Sequence, residues 1–339
     1  MEVNADGAIV RPYPDPGGGV QWFHFDVEGH RRPKNFTVKG LDDSFFPAAF
    51  RHGQVAVLRE DRTWGLLQGV WDGTQLTFSD QDGGGRAFAA WAAYSPARLC
   101  SKIVDAVKHG WTTRMLCHDA GGTPVWALGA PWNDRAAPPV VCLAAQHPGE
   151  RVTLWTVEAL LRARHCDRLP PLWIVPCVNP DGLCRGHARK DCAGVDLNRS
   201  WHISERSPAI AAIVTLIRSV RPQIVIDLHG DELSNQAYVV VPVGKIIDGS
   251  VTAMHSHRFA DIWNASCSIA GPRPGGSQAG DDDVGISTNM ISSQLGIPAV
   301  MLELPHLMNH ANVTEPYAHT VKEVSQALIS CIRKFSDCH

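Results

Sequence analysis

A histidine and a glutamate three residues apart, His147 and Glu150, stand where an apolar run stops: VVCLAAQHPGE. The run reads as a buried strand, and Pro148 and Gly149 turn the chain at its end. An imidazole nitrogen and a carboxylate oxygen placed this way can share one metal ion. A third ligand must come from elsewhere, and His229 is the best candidate, because IVIDLHGDE also ends an apolar run in a His. Two His and one carboxylate leave a fourth position open to water, the ligand set of catalytic rather than structural zinc. HxxE alone is common by chance. What singles this one out is the ordered series behind it: NPDG at 179–182, GHAR at 186–189, GVDLNRSW at 194–201, then DLHG, and finally Glu303 inside PAVMLELP. A buried carboxylate without a role would carry a desolvation penalty, so Glu303 is the candidate general base.

These residues need elements to hold them. Near-continuous apolar runs (VVCLAA, LWIVPCV, QIVIDLHG, AYVVVP, PAVMLELP) alternate with helical patterns beginning at Ser95, Glu150, Ser207, Val251 and Pro316. That alternation predicts an α/β fold, a mixed and largely parallel sheet with helices on both faces. Ligands in such sheets sit at the carboxyl ends of strands, and His147, His229 and Glu303 fall at or just beyond such ends. Residues before about 93 differ. Short runs such as WFHFDV, QVAVLRE and TQLTFS, broken by Gly, Asp and Pro, predict a small all-β, sandwich-like domain over 1–93. SPARL, with its Ser cap and Pro at the first helical position, opens the catalytic domain, 94–339. The segment GPRPGGSQAGDDD at 271–283, just upstream of Glu303, is expected to act as a specificity loop or lid.

The length of 339 residues suits two domains, and 44% hydrophobic with 19% charged residues suits a globular protein. A formal net charge of −3 gives no reason to expect a nucleic-acid or anionic-membrane partner. No apolar stretch reaches the roughly 20 residues needed to span a bilayer. The ten cysteines all lie at or after Cys100 with no CxxC pair, which favours free thiols in a reducing compartment over a disulfide framework. A cytoplasmic location is the expectation.

The motif set from Gln146 to Pro305 resembles the zinc metallocarboxypeptidases, and looks most like their cytosolic carboxypeptidase branch, in which a small β domain precedes the catalytic one. WFHFDVEG and AYSPARL in the flanks also look like that branch. The resemblance implies one zinc ion per chain on His147, Glu150 and His229, with Glu303 as the base acting on a zinc-activated water. It implies that Arg189 stabilises charge on the scissile carbonyl oxygen. Asn198 and Arg199 would clamp a C-terminal carboxylate, for which a guanidinium fork is suited. Asp196 would orient His147. The implied substrate is the C-terminal tail of a peptide or protein. One departure is that no Tyr occurs in 279–302, where many relatives carry a mobile one; Tyr238 and Tyr317 are the nearest. Two rivals stand beside this reading. A zinc deacylase or amidase of N-acyl amino acids or cell-wall peptides would use a similar centre. A non-enzymatic binder of acidic C-termini would keep the fold without cutting.

Overall fold

The computed structural model describes residues 2–4, 7–28, 33–130, 138–162, 171–242, 250–273, 283–306 and 317–336. The N-terminal part is built from β1 (Glu2–Asn4), β2 (Gly7–Val10), β3 (His24–Asp26), β4 (Asn35–Lys39), β5 (Gln54–Arg59), β6 (Trp64–Gln68), β7 (Val70–Trp71), β8 (Gln75–Ser79) and β9 (Gly85–Ala89). They form two sheets, ordered β1-β2-β4-β8-β7 and β3-β9-β5-β6. Alternation decides what lies between them. In β4, Phe36 and Val38 are buried while Asn35 is exposed, and in β8 Leu76 and Phe78 are buried while Ser79 is exposed. The rings of Phe36 and Phe88 lie 4.6 Å apart, and each packs within 5.1–5.7 Å of Phe25 and Phe78. Ala188, from the distant C-terminal part, closes this core.

The C-terminal part contains α1 (Pro96–Lys108), β10 (Thr112–His118), β11 (Pro124–Gly129), β12 (Val140–Ala144), α2 (Val152–Arg162), β13 (Leu172–Val175), α3 (Pro180–Arg185), α4 (Pro208–Val220), β14 (Ile224–Asp231), β15 (Tyr238–Val240), α5 (Val251–Ser266), α6 (Ser287–Gln294), β16 (Ala299–Pro305) and α7 (Ala318–Ser336). Caps set the starts of several helices. The Ser95, Ser207 and Ser250 hydroxyls accept from the N–H three residues on, and Pro follows at the first helical position of α1 and α4.

The strands form one mixed sheet, ordered β10-β11-β13-β12-β14-β16-β15. Its four central strands are parallel, and β10, β11 and β15 join antiparallel at the edges. The side-chain period of two splits each central strand between two cores. Val140, Cys142 and Ala144 of β12 face the core that α1, α2, α5 and α7 complete, and Val141 and Leu143 face the one completed by α4 and α6. Burial on both faces explains why these strands read as continuous apolar runs. The edge strand β10 is largely exposed, and its mixed sequence gave no such signal. The described cysteines are all free, with Cys142, Cys177, Cys267 and Cys331 buried. No helix among the described residues is long and apolar enough to cross a membrane.

Candidate metal centre and cleft

Strand order creates the site. The chain passes from β12 to β13 on one side, then to β14 on the other side of β12. The carboxyl ends of β12 and β14 therefore flank a topological switch point, where open α/β sheets bind ligands. Just past β12, Ala145 is fully buried with φ 52°, a left-handed conformation that an alanine adopts only at a cost. This turn delivers Gln146 and His147 to the crevice.

His147 and His229 each turn Nδ1 toward Glu150. The His147 nitrogen lies 2.6 Å from Glu150 Oε1, and the His229 nitrogen 3.0 Å from Oε2. Donor atoms from the three residues all fall within 4.8 Å of one another, and all three residues are buried. Each imidazole is held from behind by a carboxylate. His147 Nε2 is 3.0 Å from Asp196 and His229 Nε2 is 3.3 Å from Asp227. Donation through Nε2 leaves the Nδ1 lone pair aimed inward, as a metal requires. The donor set and its backing therefore fit a divalent cation. Burial pushes the Glu150 carboxyl up, but His147 and His229 outweigh it and hold it well below its usual range. The Asp196 carboxyl is likewise low, because His147 and Arg189 overcome the effect of burial.

Asp227 was absent from the sequence expectations, although the signal existed. Residues two apart on a strand share a face, so an Asp two before a ligand His sits beside it. Asp227 is fully buried and also accepts from Gln146 Nε2 and the Ser287 hydroxyl. Trp201 Nε1 in turn fixes Gln146 through its Oε1 at 2.8 Å.

The remaining expected residues line one cleft of about 270 Å³ with the three metal-site residues: Arg189, Asn198, Arg199 and Glu303. Register puts Glu303 level with His229 on the adjacent parallel strand, and Tyr238 level with Glu303 on its other side. Burial, reinforced by Glu150, Asp231 and Asp227, pushes the Glu303 carboxyl up to about 8 against the opposing pull of His229. A divalent cation in the cage would lower it. Arg189 Nε donates to Asp196 at 2.6 Å. Asn198 accepts from the Ser287 N–H at 3.0 Å, with its amide nitrogen 3.3 Å from His229 Nε2. Arg199 is exposed, its Nη1 on the Asn198 carbonyl. Tyr238 lines the cleft too, its hydroxyl donating to Asp231 at 2.6 Å.

Glu232 and Arg273 also line this cleft, whereas Arg258 sits on α5 against the Phe335 ring. His306, just past the end of β16, is buried and stacked on Trp91 at 4.7 Å. Most of the expected specificity loop or lid, 274–282, lies outside the described residues.

The N-terminal domain holds the site loops directly, which no sequence pattern indicated. Asp15, 3% exposed, accepts from the backbone N–H groups of Ala188, Arg189 and Lys190 at 2.7–2.8 Å. Trp91 Nε1 donates to the Gly149 carbonyl at 2.7 Å, and the Gly149 N–H donates to the Ala188 carbonyl at 2.7 Å. The turn carrying His147 and Glu150 and the loop carrying Arg189 are thus joined to each other and to the β domain.

Residues 4–94 match the cytosolic carboxypeptidase N-terminal domain. An uncharacterised protein of Zymomonas mobilis is 30% identical over 226 residues, 62% of this chain and 59% of that protein. Cytosolic carboxypeptidase 2 of Danio rerio is 24% identical over 270 residues, 65% of this chain and 37% of that protein. The matches thus span less than two thirds of these relatives' own length. In three dimensions, a metallo-carboxypeptidase from Burkholderia cenocepacia superposes over 100% of this chain and 96% of its own, with a TM-score of 0.87 at 21% identity. The chain therefore carries the cytosolic carboxypeptidase N-terminal domain, is homologous to cytosolic carboxypeptidases, and has the metallo-carboxypeptidase fold.

Proposed function

We propose that this chain is a zinc metallocarboxypeptidase that hydrolyses the last peptide bond of a peptide or protein tail, in the cytoplasm. The observation that carries the reading is the cage of His147, Glu150 and His229, with Glu303 level with His229 at the open side. One zinc ion would be held by those three residues, and when bound it supplies Lewis acidity and makes water a nucleophile near neutral pH. Arg199, exposed at the cleft wall, takes the free C-terminal carboxylate through its planar fork, assisted by the Asn198 amide. Arg189 faces the scissile carbonyl and stabilises the negative charge that develops on its oxygen. Glu303 accepts a proton from the attacking water and returns it to the departing amine. Asp196 and Asp227 keep the two imidazoles in the tautomer and orientation that coordination needs. Tyr238 is the phenol within the cleft, reached from β15 instead of the segment just before Glu303. Arg273 adds a cation to the same wall and is a candidate contact for an acidic side chain on the residue removed.

The test is a C-terminal residue scan on a peptide library, read by mass spectrometry, with zinc-loaded protein and a parallel N-acyl amino acid series. Release of single C-terminal residues is expected. Glu303→Gln should retain zinc and lose at least ~10³-fold in kcat. Peptide turnover surviving in that variant with zinc bound would remove Glu303 as the base. Preferential turnover of N-acyl amino acids would reassign the site to a deacylase.

A further inference from the structure

A second cavity, of about 500 Å³, opens where the β domain meets α1 and α3. Its floor holds Arg151, the residue after Glu150, which is only 2% exposed. A guanidinium is protonated at all physiological pH and is costly to bury without a counter-charge. Arg151 makes no ion pair with any described carboxylate. Its contacts are the Trp22 ring, 4.2 Å from the guanidinium carbon, and the Tyr94 carbonyl at a long 3.4 Å. Its Nε has no hydrogen-bond partner. Arg151 is thus a buried guanidinium whose hydrogen-bonding capacity is largely unused.

The cavity supplies the rest of the argument. Arg11, His24 and Arg185 line it along with Arg151, and no Asp or Glu does so among the described residues. Its walls are apolar and aromatic, with Trp22 beside the guanidinium and Tyr13, 96% exposed, also among its lining residues. We propose that this groove binds a small organic oxyanion, a carboxylate or phosphate ester carrying an apolar group, with the anionic end on Arg151. The guanidinium fork matches two oxygens of such a group, and Trp22 and its neighbours cover the apolar portion. Because Arg151 is covalently next to Glu150, occupancy would stiffen the turn that carries two of the three metal-site residues. The proposal does not depend on the peptidase reading.

The experiment is calorimetric titration of the zinc-loaded protein, in anion-poor buffer, with inorganic phosphate and separately with benzoate. Arg189 and Arg199 in the cleft also attract anions, so the comparison with Arg151→Met decides which binding belongs here. Wild type should show two sites and Arg151→Met one. Arg151→Lys should weaken the lost site about tenfold, because an ammonium cannot make the forked contact. Tighter phosphate binding would point to a phosphate ester, and tighter benzoate binding to a carboxylate. In anion-poor buffer Arg151→Met should be at least as stable as wild type, whereas a purely structural Arg151 would make it less stable. Should the Met variant not fold, Arg185→Glu, at a side chain 55% exposed, provides the second arm and should weaken the same site. Identical isotherms in wild type and variant, or no anomalous peak beside Arg151 in selenate-soaked crystals, would overturn the proposal.

Discussion

Replacing Asp15 with alanine removes one carboxylate from the β domain and leaves three backbone donors, on Ala188, Arg189 and Lys190, without their acceptor. Hydrogen bonds to a charged group contribute about 1.5–3 kcal/mol each, so the gross loss is roughly 4.5–9 kcal/mol. Ala188 is buried, but Arg189 and Lys190 are half-buried and water can reach their N–H groups. The net cost should therefore fall to about 3–5 kcal/mol, a large share of a typical folding stability. Asp15→Asn is the gentler change. It keeps one acceptor oxygen and turns an amide NH₂ toward the remaining donors, at about 1–3 kcal/mol. Urea midpoints of both variants measure this directly. The catalytic effect follows from position, since Asp15 fixes the backbone on either side of the Arg189 side chain. An oxyanion donor displaced by about an ångström costs up to ~10²-fold. Because such a donor acts in the transition state, kcat should fall in Asp15→Asn while KM stays within about twofold. If Asp15→Asn matches wild type in both stability and kcat, the clamp has no energetic content. If stability alone falls, Arg189 is positioned by Asp196 and not from the β domain.

Gly149→Ala should be disproportionately harmful, because a Cβ there would lie 2.6 Å from the Ala188 carbonyl oxygen. It wedges apart the two site loops, and metal affinity measured by competition with a chelator should drop at least tenfold. Asp227→Asn replaces the carboxylate behind His229 and should weaken metal binding ~10–100-fold with little change in fold by circular dichroism. Glu158 offers a pH test away from the site. It is buried, and Arg98 and Tyr94 hold its carboxyl below the ordinary 4.5 against the effect of burial. A depressed native pKa gives stability that is present above pH 4.5 and lost as pH falls through the native value. Wild type should accordingly lose more stability than Glu158→Gln between pH 6 and pH 3. At pH 7 the Gln variant should be about 2–3 kcal/mol less stable, below the cost for a fully enclosed pair because Arg98 reaches solvent. A flat difference between the two proteins across that range would show that the ion pair is not formed.

The parts of the site legible in the sequence are those tied to strand ends. An apolar run that stops at a His is a local pattern, and sheet topology brings such stops together without help from any other signal. His147, Glu150, His229 and Glu303 could be picked out for that reason. Asp227 was within reach of the same logic, but its two-residue offset from His229 lay inside an apolar run and passed as part of it. Asp15 was not legible at all. Its partners lie more than 170 residues away and are backbone N–H groups, which carry no sequence identity. The burial of His306 was not legible either, because its stacking partner Trp91 comes from the β domain. The edge strand β10 was missed because most of it is exposed and only Leu116 and Cys117 pack against the core, too short an apolar signal to read. Local pattern thus predicts what the strands present, and contacts between the two domains decide how it is held.

The linked contacts Trp91 to Gly149, Gly149 to Ala188 and Ala188 to Asp15 form a closed circuit through two segments that have no regular secondary structure of their own. Amide protons in such loops ordinarily trade with solvent deuterium within seconds. Here the Ala188 amide can open only if Asp15 of the β domain lets go, and the Gly149 amide only if the two loops part, so their exchange should report the rupture of this seam. The most slowly labelled loop amides of this protein would then mark the ground on which its chemistry stands.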